Sequence, residues 1–243
     1  MSRIVCWFSC GAASAVATKL ALAENAGKLP VVIAYTEVLE EHPDNKRFLA
    51  DCEKWFGQEI VILGNDRYQR SIFETFKTSA MNIKGSAPCT QKLKKQVRIK
   101  FEQVNDRQVF GYTVEEQQRY DRFIDVNNDV DIWVPLIDKG LTKEDCLGMI
   151  KKAGIELPMM YQLGYHNNNC IGCVKGGMGY WNKIKVDFPE QFQRMANLER
   201  FKKQTILKDR YLDELKSTDG NYPAEPNIEC SIFCQMAEQD YQK

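Results

Sequence analysis

Short apolar runs alternate along the first half of the chain with longer stretches in which apolar and polar positions mix. Ile4–Phe8 is a continuous apolar run and predicts a short buried strand. Ser9–Ala13 is a turn of small residues, and Ser14–Asn25, rich in Ala and Leu, predicts a helix closed by Gly27. Leu29–Tyr35, built around Val31, Val32 and Ile33, predicts a second strand. Asn45–Phe56 follows as a helix stopped by Gly57, and Glu59–Leu63 as a third strand. This alternation predicts βαβ units and a parallel sheet. Further on, Gln91–Asn105 reads as a basic amphipathic helix, Gln108–Phe110 as a strand and Val114–Asn127 as a polar helix. Ile132–Pro135 reads as a last strand. Thr142–Ala153 reads as a helix capped by Thr142 and ended by Gly154, with Asp145 placed for a near capping box. Met159–Tyr180, rich in Gly, Asn, Tyr and Cys, has no helical period. Pro189–Leu215 predicts a long charged helix and Ser217–Pro226 a linker. The expected fold is a doubly wound α/β domain with a mainly parallel sheet over residues 1–155. A Cys-bearing module with a helical C-terminal tail is expected over residues 156–243.

Composition narrows the picture. A chain of 243 residues has room for one large domain, or one domain with an appended part. Hydrophobic residues make up 44% and charged residues 27%, as a packed core requires. Lys+Arg and Asp+Glu are 33 each, so nothing in bulk charge argues for a nucleic-acid coat protein or a membrane-surface protein, and a local basic face stays open. No stretch approaches the roughly 18–20 apolar residues of a membrane helix. The apolar run after Arg3 is too short for a secretory signal, so no membrane partner and a cytoplasmic location are expected. Nine cysteines, an odd number, then suggest metal binding or catalysis before disulfides.

The first chemical motif is Ser9-Cys10-Gly11-Ala12-Ala13-Ser14, between a strand and a helix. A helix N-terminus offers unpaired N–H groups and partial positive charge. Small side chains let an anion reach that backbone, and Ser9 and Ser14 add hydroxyl donors. The segment is neither a Walker loop nor a Gly-x-Gly-x-x-Gly fingerprint. A tight turn built of small residues for packing alone is the competing reading.

Ser-x-Gly-x-x-Ser after an N-terminal strand resembles the PP-loop of the adenine nucleotide alpha-hydrolase-like superfamily, a Rossmann-like group. That group includes ATP pyrophosphatases, tRNA thiolation enzymes and phosphoadenosine phosphosulfate (PAPS) reductases. The ATP-cleaving form carries Asp where this chain has Ala13, which counts against ATP cleavage and toward the reductase branch. Ala34-Tyr35-Thr36-Glu37, then Pro43, then a helix ending in Gly57, is similar to the next PAPS reductase motif, with Tyr35 and Glu37 as departures. The resemblance implies a nucleotide pocket formed by Ser9, Cys10, Gly11, Ala12, Ala13, Ser14 and Thr36, with Gly111 and Tyr112 as a third contributing loop.

Cys170-Ile171-Gly172-Cys173 is a Cys-x-x-Cys, able to ligate a metal or form a redox pair. Cys89, ahead of the basic helix and near Lys92, is placed where iron–sulfur sulfonucleotide reductases carry an early Cys-Cys pair. Glu229-Cys230 resembles the reductases' C-terminal Glu-Cys, whose thiol attacks the sulfonyl sulfur. The implied metal set is Cys89, Cys170, Cys173 and Cys230, holding an iron–sulfur cluster of the 4Fe-4S type, with zinc as the alternative. Cys230 is either nucleophile or ligand, and Cys234 lies four residues on. A zinc site using His166 with Cys170 and Cys173 is a minor variant.

Cys6, Cys52 and Cys146 read as small core residues. Lys92, Lys94, Lys95, Arg98 and Lys100 either form a solvated face or bind phosphate or nucleic acid. Tyr161, Tyr165, Tyr180 and Trp181 either stack on a base or form the packing shell of the thiols. Glu115, Glu116 and Arg119 either reach substrate or form a surface ion pair.

The leading functional expectation is PAPS reductase-like sulfur chemistry on an adenine nucleotide (PAPS, APS or ATP), with a thiol electron donor or sulfur donor. Its first alternative is ATP-dependent adenylation and thiolation of a base or other acceptor, a nucleic acid included. Its second is a non-enzymatic nucleotide sensor with structural zinc.

Overall fold

Strand and helix alternate from the start of the chain, as the patterning predicts, and the strands come together in one sheet. The computed structural model describes residues 2–81 and 87–228. Its strands are β1 (Ile4–Trp7), β2 (Val31–Thr36), β3 (Ile60–Leu63), β4 (Arg107–Val109) and β5 (Ile132–Trp133). They lie in the order β3-β2-β1-β4-β5, and every pairing is parallel. Cys6 of β1, for instance, faces Ile33 on one side and Val109 on the other.

Alternation along β1 sends side chains to opposite faces, and each face has its own core. Ile4, Cys6 and Phe8 pack with α1 (Ala12–Asn25) and α2 (Asn45–Phe56). The same cluster takes in Leu136, from α6 (Pro135–Asp138), and Cys146 and Ile150, from α7 (Lys143–Lys152). Val5 and Trp7 face the other way, onto Phe110 and Tyr112 after β4 and onto Phe123 from α5 (Gln117–Val126). Helices therefore cover both faces. The expected core cysteines Cys6, Cys52 and Cys146 are fully buried, and burial pushes the thiols of Cys6 and Cys146 up to about 12.

A further core stands beside the sheet. It joins Val38 and residues of α3 (Ile72–Lys77) to α8 (Met159–Gln162), α9 (Met178–Asp187) and α10 (Pro189–Lys202). The Cys-x-x-Cys segment thus packs against residues from both halves of the chain. Among the described residues no helix is long and apolar enough to cross a membrane.

Several expectations are corrected. The long helix after Pro189 stops at Lys202, with Lys203 in the left-handed region. The cause is Glu199, a fully buried carboxylate that accepts hydrogen bonds from Ile206 N (2.5 Å) and Leu212 N (2.7 Å) and folds the chain back. The Ser217–Pro226 segment is not a free linker: Glu225 accepts from Gly179 N (2.6 Å) and Tyr180 N (3.0 Å), capping α9 from outside its own sequence. The basic helix is a π-helical stretch, Thr90–Lys95, followed by α4 (Gln96–Phe101). It is not a solvated face, because Lys95 and Arg98 are buried. The capping box at Thr142 is present, with Thr142 N donating to Asp145 Oδ2 at 2.9 Å.

Candidate functional site

The sheet order reverses between β1 and β4, and in open α/β sheets a crevice opens there at the carboxyl ends of the strands. β1 runs into Ser9–Ser14, and β4 into Phe110–Thr113. A Cβ on Gly111 would lie 2.7 Å from Ser14 N and 2.8 Å from the Ala13 carbonyl carbon, so only glycine lets this loop rest on the first turn of α1.

A cavity of about 290 Å³ fills the crevice. Ser9, Gly11, Ala13, Ser14, Gly111 and Tyr112 line it, as the sequence reading places them. Cys10, Ala12 and Thr36 do not. Cys10 and Ala12 are buried behind the turn, and Thr36 is buried at the end of β2, its Oγ1 without a hydrogen-bond partner among the described residues. Trp7 and Phe110 supply an apolar wall, while Lys94, Arg119 and Lys143 bring positive charge.

Within the turn, Ser14 Oγ accepts from Ser9 N (3.1 Å) and Ser9 Oγ (3.1 Å) and donates to the Gly11 carbonyl (3.0 Å). Gly11 is the N-cap and has no capping side chain, and no acidic residue stands in the first turn of α1. The positive end of the helix therefore faces the cavity without a carboxylate of its own. Tyr161 stands against the same turn. Burial raises its hydroxyl to about 12, and backbone hydrogen bonds at Ala12 and Asn168 offset part of the rise.

Arg119 lies over the Tyr112 ring at 5.1 Å and pairs with Glu116 at 2.5 Å, so this pair belongs to the cavity and not to the open surface. Lys143 donates to the His166 carbonyl and to Asn167 Oδ1 (2.7 Å). Burial lowers its pKa, with Glu116 and Glu115 acting against that shift. Nothing local in the sequence marks Lys143; it enters the site because α7 begins beside the 166–169 segment.

The expected thiols meet in a second, much smaller cavity of about 10 Å³. Cys89, Cys170 and Cys173 line it with Val38, Ile72, Thr90, Leu93, Lys94 and Val174. Tyr180 holds the turn between two of them: its hydroxyl donates to the Cys170 carbonyl (3.1 Å) and accepts from Gly172 N (3.1 Å) and Cys173 N (2.9 Å). Gly172 is left-handed, with φ of +77°, and Trp181 packs beneath it. Tyr165, Tyr180 and Trp181 are buried in the adjoining core, so they are the packing shell and not base-stacking groups. His166 stacks on Tyr222 with ring centroids 4.6 Å apart and does not line the thiol cavity. Among the described residues no group of three or more His, Cys, Asp or Glu is placed to hold a metal ion. Cys230 and Cys234 lie outside the described residues.

Lys94 lines both cavities, 3.8 Å from Glu41. Burial raises the pKa of the Glu41 carboxyl, and Lys94 is the largest influence opposing that rise. None of the protein-family models, curated proteins or solved structures compared with the chain matches it.

Proposed function

We propose that this chain binds an adenine nucleotide in the larger cavity and carries out thiol chemistry on an activated sulfur group, in the manner of PAPS reductases. The observation that carries the reading is the cavity itself. It lies at the sheet's switch point and is lined by the start of α1, two serines, three cationic residues (Lys94, Arg119 and Lys143) with the carboxylates Glu115 and Glu116 among them, and the aromatic residues Trp7, Phe110 and Tyr112. Backbone N–H groups and cations suit phosphate or sulfate oxygens, and Trp7, Phe110 and Tyr112 suit the apolar body of a nucleoside.

The proposed step is attack by a Cys230 thiolate on the sulfur of a nucleotide-bound sulfonyl group. An S–S bond forms as the S–O bond to phosphate breaks, and the nucleotide leaves with that oxygen. A dithiol donor then reduces the thiosulfonate, releasing sulfite as it becomes a disulfide. Ile228, in the cavity wall, stands two residues before Cys230, a span of about 7 Å for an extended chain. Ser9, Ser14, Arg119 and Lys143 would hold the anionic groups of the departing nucleotide.

An iron–sulfur cluster on Cys89, Cys170 and Cys173, or zinc on the same three thiols, belongs to the proposal, with Cys230 kept as the nucleophile; a Cys230 that served as the fourth ligand would not be the attacking thiol. What supports it is that three of the thiols line one cavity; that cavity, at about 10 Å³, has no room for a cluster without movement of its walls, and the described residues alone do not make a metal centre. A cluster would add electrostatic and redox tuning beside the nucleotide.

The test is twofold. Anaerobically purified protein is mixed with adenosine 5′-phosphosulfate, PAPS or ATP and a dithiol, and sulfite and pyrophosphate are measured. Metal content is determined on the same sample. Sulfite release that Cys230→Ser abolishes, with nucleotide affinity kept, is the expected result. Pyrophosphate release without sulfite would replace the reading with adenylation. Absence of any nucleotide binding would end it.

A further inference from the structure

A chain of buried hydrogen bonds joins the turn that lines the nucleotide cavity to the turn that carries the thiols. Its centre is Asn168, two residues before Cys170. Asn168 Nδ2 donates to the Cys10 carbonyl (2.7 Å) and to Asn45 Oδ1 (2.9 Å). Asn45 Nδ2 donates in turn to Glu41 Oε2 (3.0 Å), which also accepts from the Tyr35 hydroxyl (2.5 Å). The sense of each bond is fixed: a carbonyl and a carboxylate only accept, so both amides are oriented.

Two features show that this arrangement is held against a cost. Cys10 has φ of +59°, a left-handed conformation that a side chain disfavours, and the Asn168 bond secures its carbonyl there. Asn168 Oδ1 is buried and has no hydrogen-bond partner among the described residues, a costly state for an amide acceptor. An apolar residue would avoid that cost but would lose the two donor bonds. Asn168 also lines the nucleotide cavity, so it touches the ligand space on one side and the thiol segment on the other.

We propose that Asn168 is a positioning residue that couples the two turns, so that a ligand settling against Ser9–Ser14 orders the thiol turn at 170–173. The inference rests on the reading that an anionic nucleotide binds at that turn. Ligand contact fixes the strained Cys10 conformation. Asn168, held to the Cys10 carbonyl, then fixes the start of the Cys170–Cys173 turn, whose amides are bonded to Glu40 and Tyr180. Linkage makes the coupling reciprocal: order in the thiol turn favours the ligand-competent form of the phosphate turn.

The experiment is hydrogen exchange read by mass spectrometry on the full chain, with and without saturating adenosine 5′-phosphosulfate. Two segments are followed: 9–16, which meets the ligand, and 170–175, none of whose residues lines the nucleotide cavity. In the unaltered protein both are expected to slow, the second by about fivefold or more. Asn168→Ala removes both donor bonds. Asn168→Asp keeps the shape and turns an acceptor toward two acceptors. In either variant, whichever folds, slowing at 9–16 is expected to persist at saturation while slowing at 170–175 disappears. Retained slowing at 170–175 in a folded variant overturns the proposal. Slowing confined to 9–16 in the unaltered protein also overturns it but leaves the nucleotide reading standing. No slowing at 9–16 in the unaltered protein defeats both.

Discussion

The two cavities meet at Lys94 but are built on different principles. The larger one is made by topology. Two adjacent strands end there, their connections diverge, and a helix N-terminus points into the gap, so most of its wall comes from segments contiguous in sequence. The smaller one is made by packing. Cys89 and the Cys170–Cys173 turn reach it from opposite halves of the chain, through a core that joins Val38, α3 and α8–α10. A site of the first kind survives changes around it if the strand ends stay close. A site of the second kind depends on every element of its core.

The sharpest way to break the comparison is at Gly111. Gly111→Val places a side chain on backbone atoms of Ala13 and Ser14, which have nowhere to move. A stability loss of about 3 kcal/mol is expected, seen as a lowered thermal midpoint, together with loss of nucleotide binding. The corresponding change on the other side, Gly172→Ala, meets Trp181 at 3.3 Å in a left-handed turn. It is expected to cost about 2 kcal/mol, to disturb the thiols, and to lower nucleotide affinity only through the reciprocal coupling at Asn168, by much less than Gly111→Val does. Equal effects of both changes on nucleotide binding would mean that the cavities are not separable.

Lys143→Met addresses the charge of the larger cavity without removing its walls. Nucleotide affinity measured by calorimetry should fall about tenfold, or about 1.4 kcal/mol. The thermal midpoint should move little, because the ammonium is buried at some cost. Unchanged affinity would remove Lys143 from the site.

The same contrast decides what could be read from the sequence. The parallel sheet, the helices Asn45–Phe56 and Lys143–Lys152 and the turn after β1 were legible because each is signalled by neighbouring residues: apolar runs, the Thr142 cap, the left-handed Gly57. Ser9, Gly11, Ser14 and Gly111 could be placed together because strand ends gather at one edge of such a sheet. Lys143, Asn168 and the Glu225 cap were not legible, since each acts on residues distant in sequence. The end of α10 was missed for a related reason: its residues keep helical pattern past Lys202, and only the burial of Glu199 turns the chain away. Burial of Lys95 and Arg98 was equally invisible, because a run of basic residues reads as a solvated face until a second core covers it.

Smaller effects refine the picture. Glu225→Ala removes the distant cap of α9 and should lower stability by about 1 kcal/mol, with faster amide exchange at 178–181. Asp44 ties α2 to α8 through Met159 N, and its hydrogen bonds to Arg47 are the main reason its carboxyl is held below the ordinary aspartate range. A depressed carboxyl contributes stability that is present above the unfolded pKa, near 3.8, and is lost as pH falls through the lower folded value. Acid titration of the thermal midpoint should therefore show a shallower fall below about pH 4 in Asp44→Asn than in the unaltered chain. An identical acid limb would assign that fall to other carboxylates.

The most direct measurement is a crystal structure with adenosine 5′-phosphosulfate bound. The account predicts its phosphate or sulfate oxygens against the backbone of Gly11–Ser14, with the nucleoside along Trp7, Phe110 and Tyr112. A ligand bound elsewhere, or a cavity that the Tyr161 hydroxyl and the serines keep closed against it, would contradict the account.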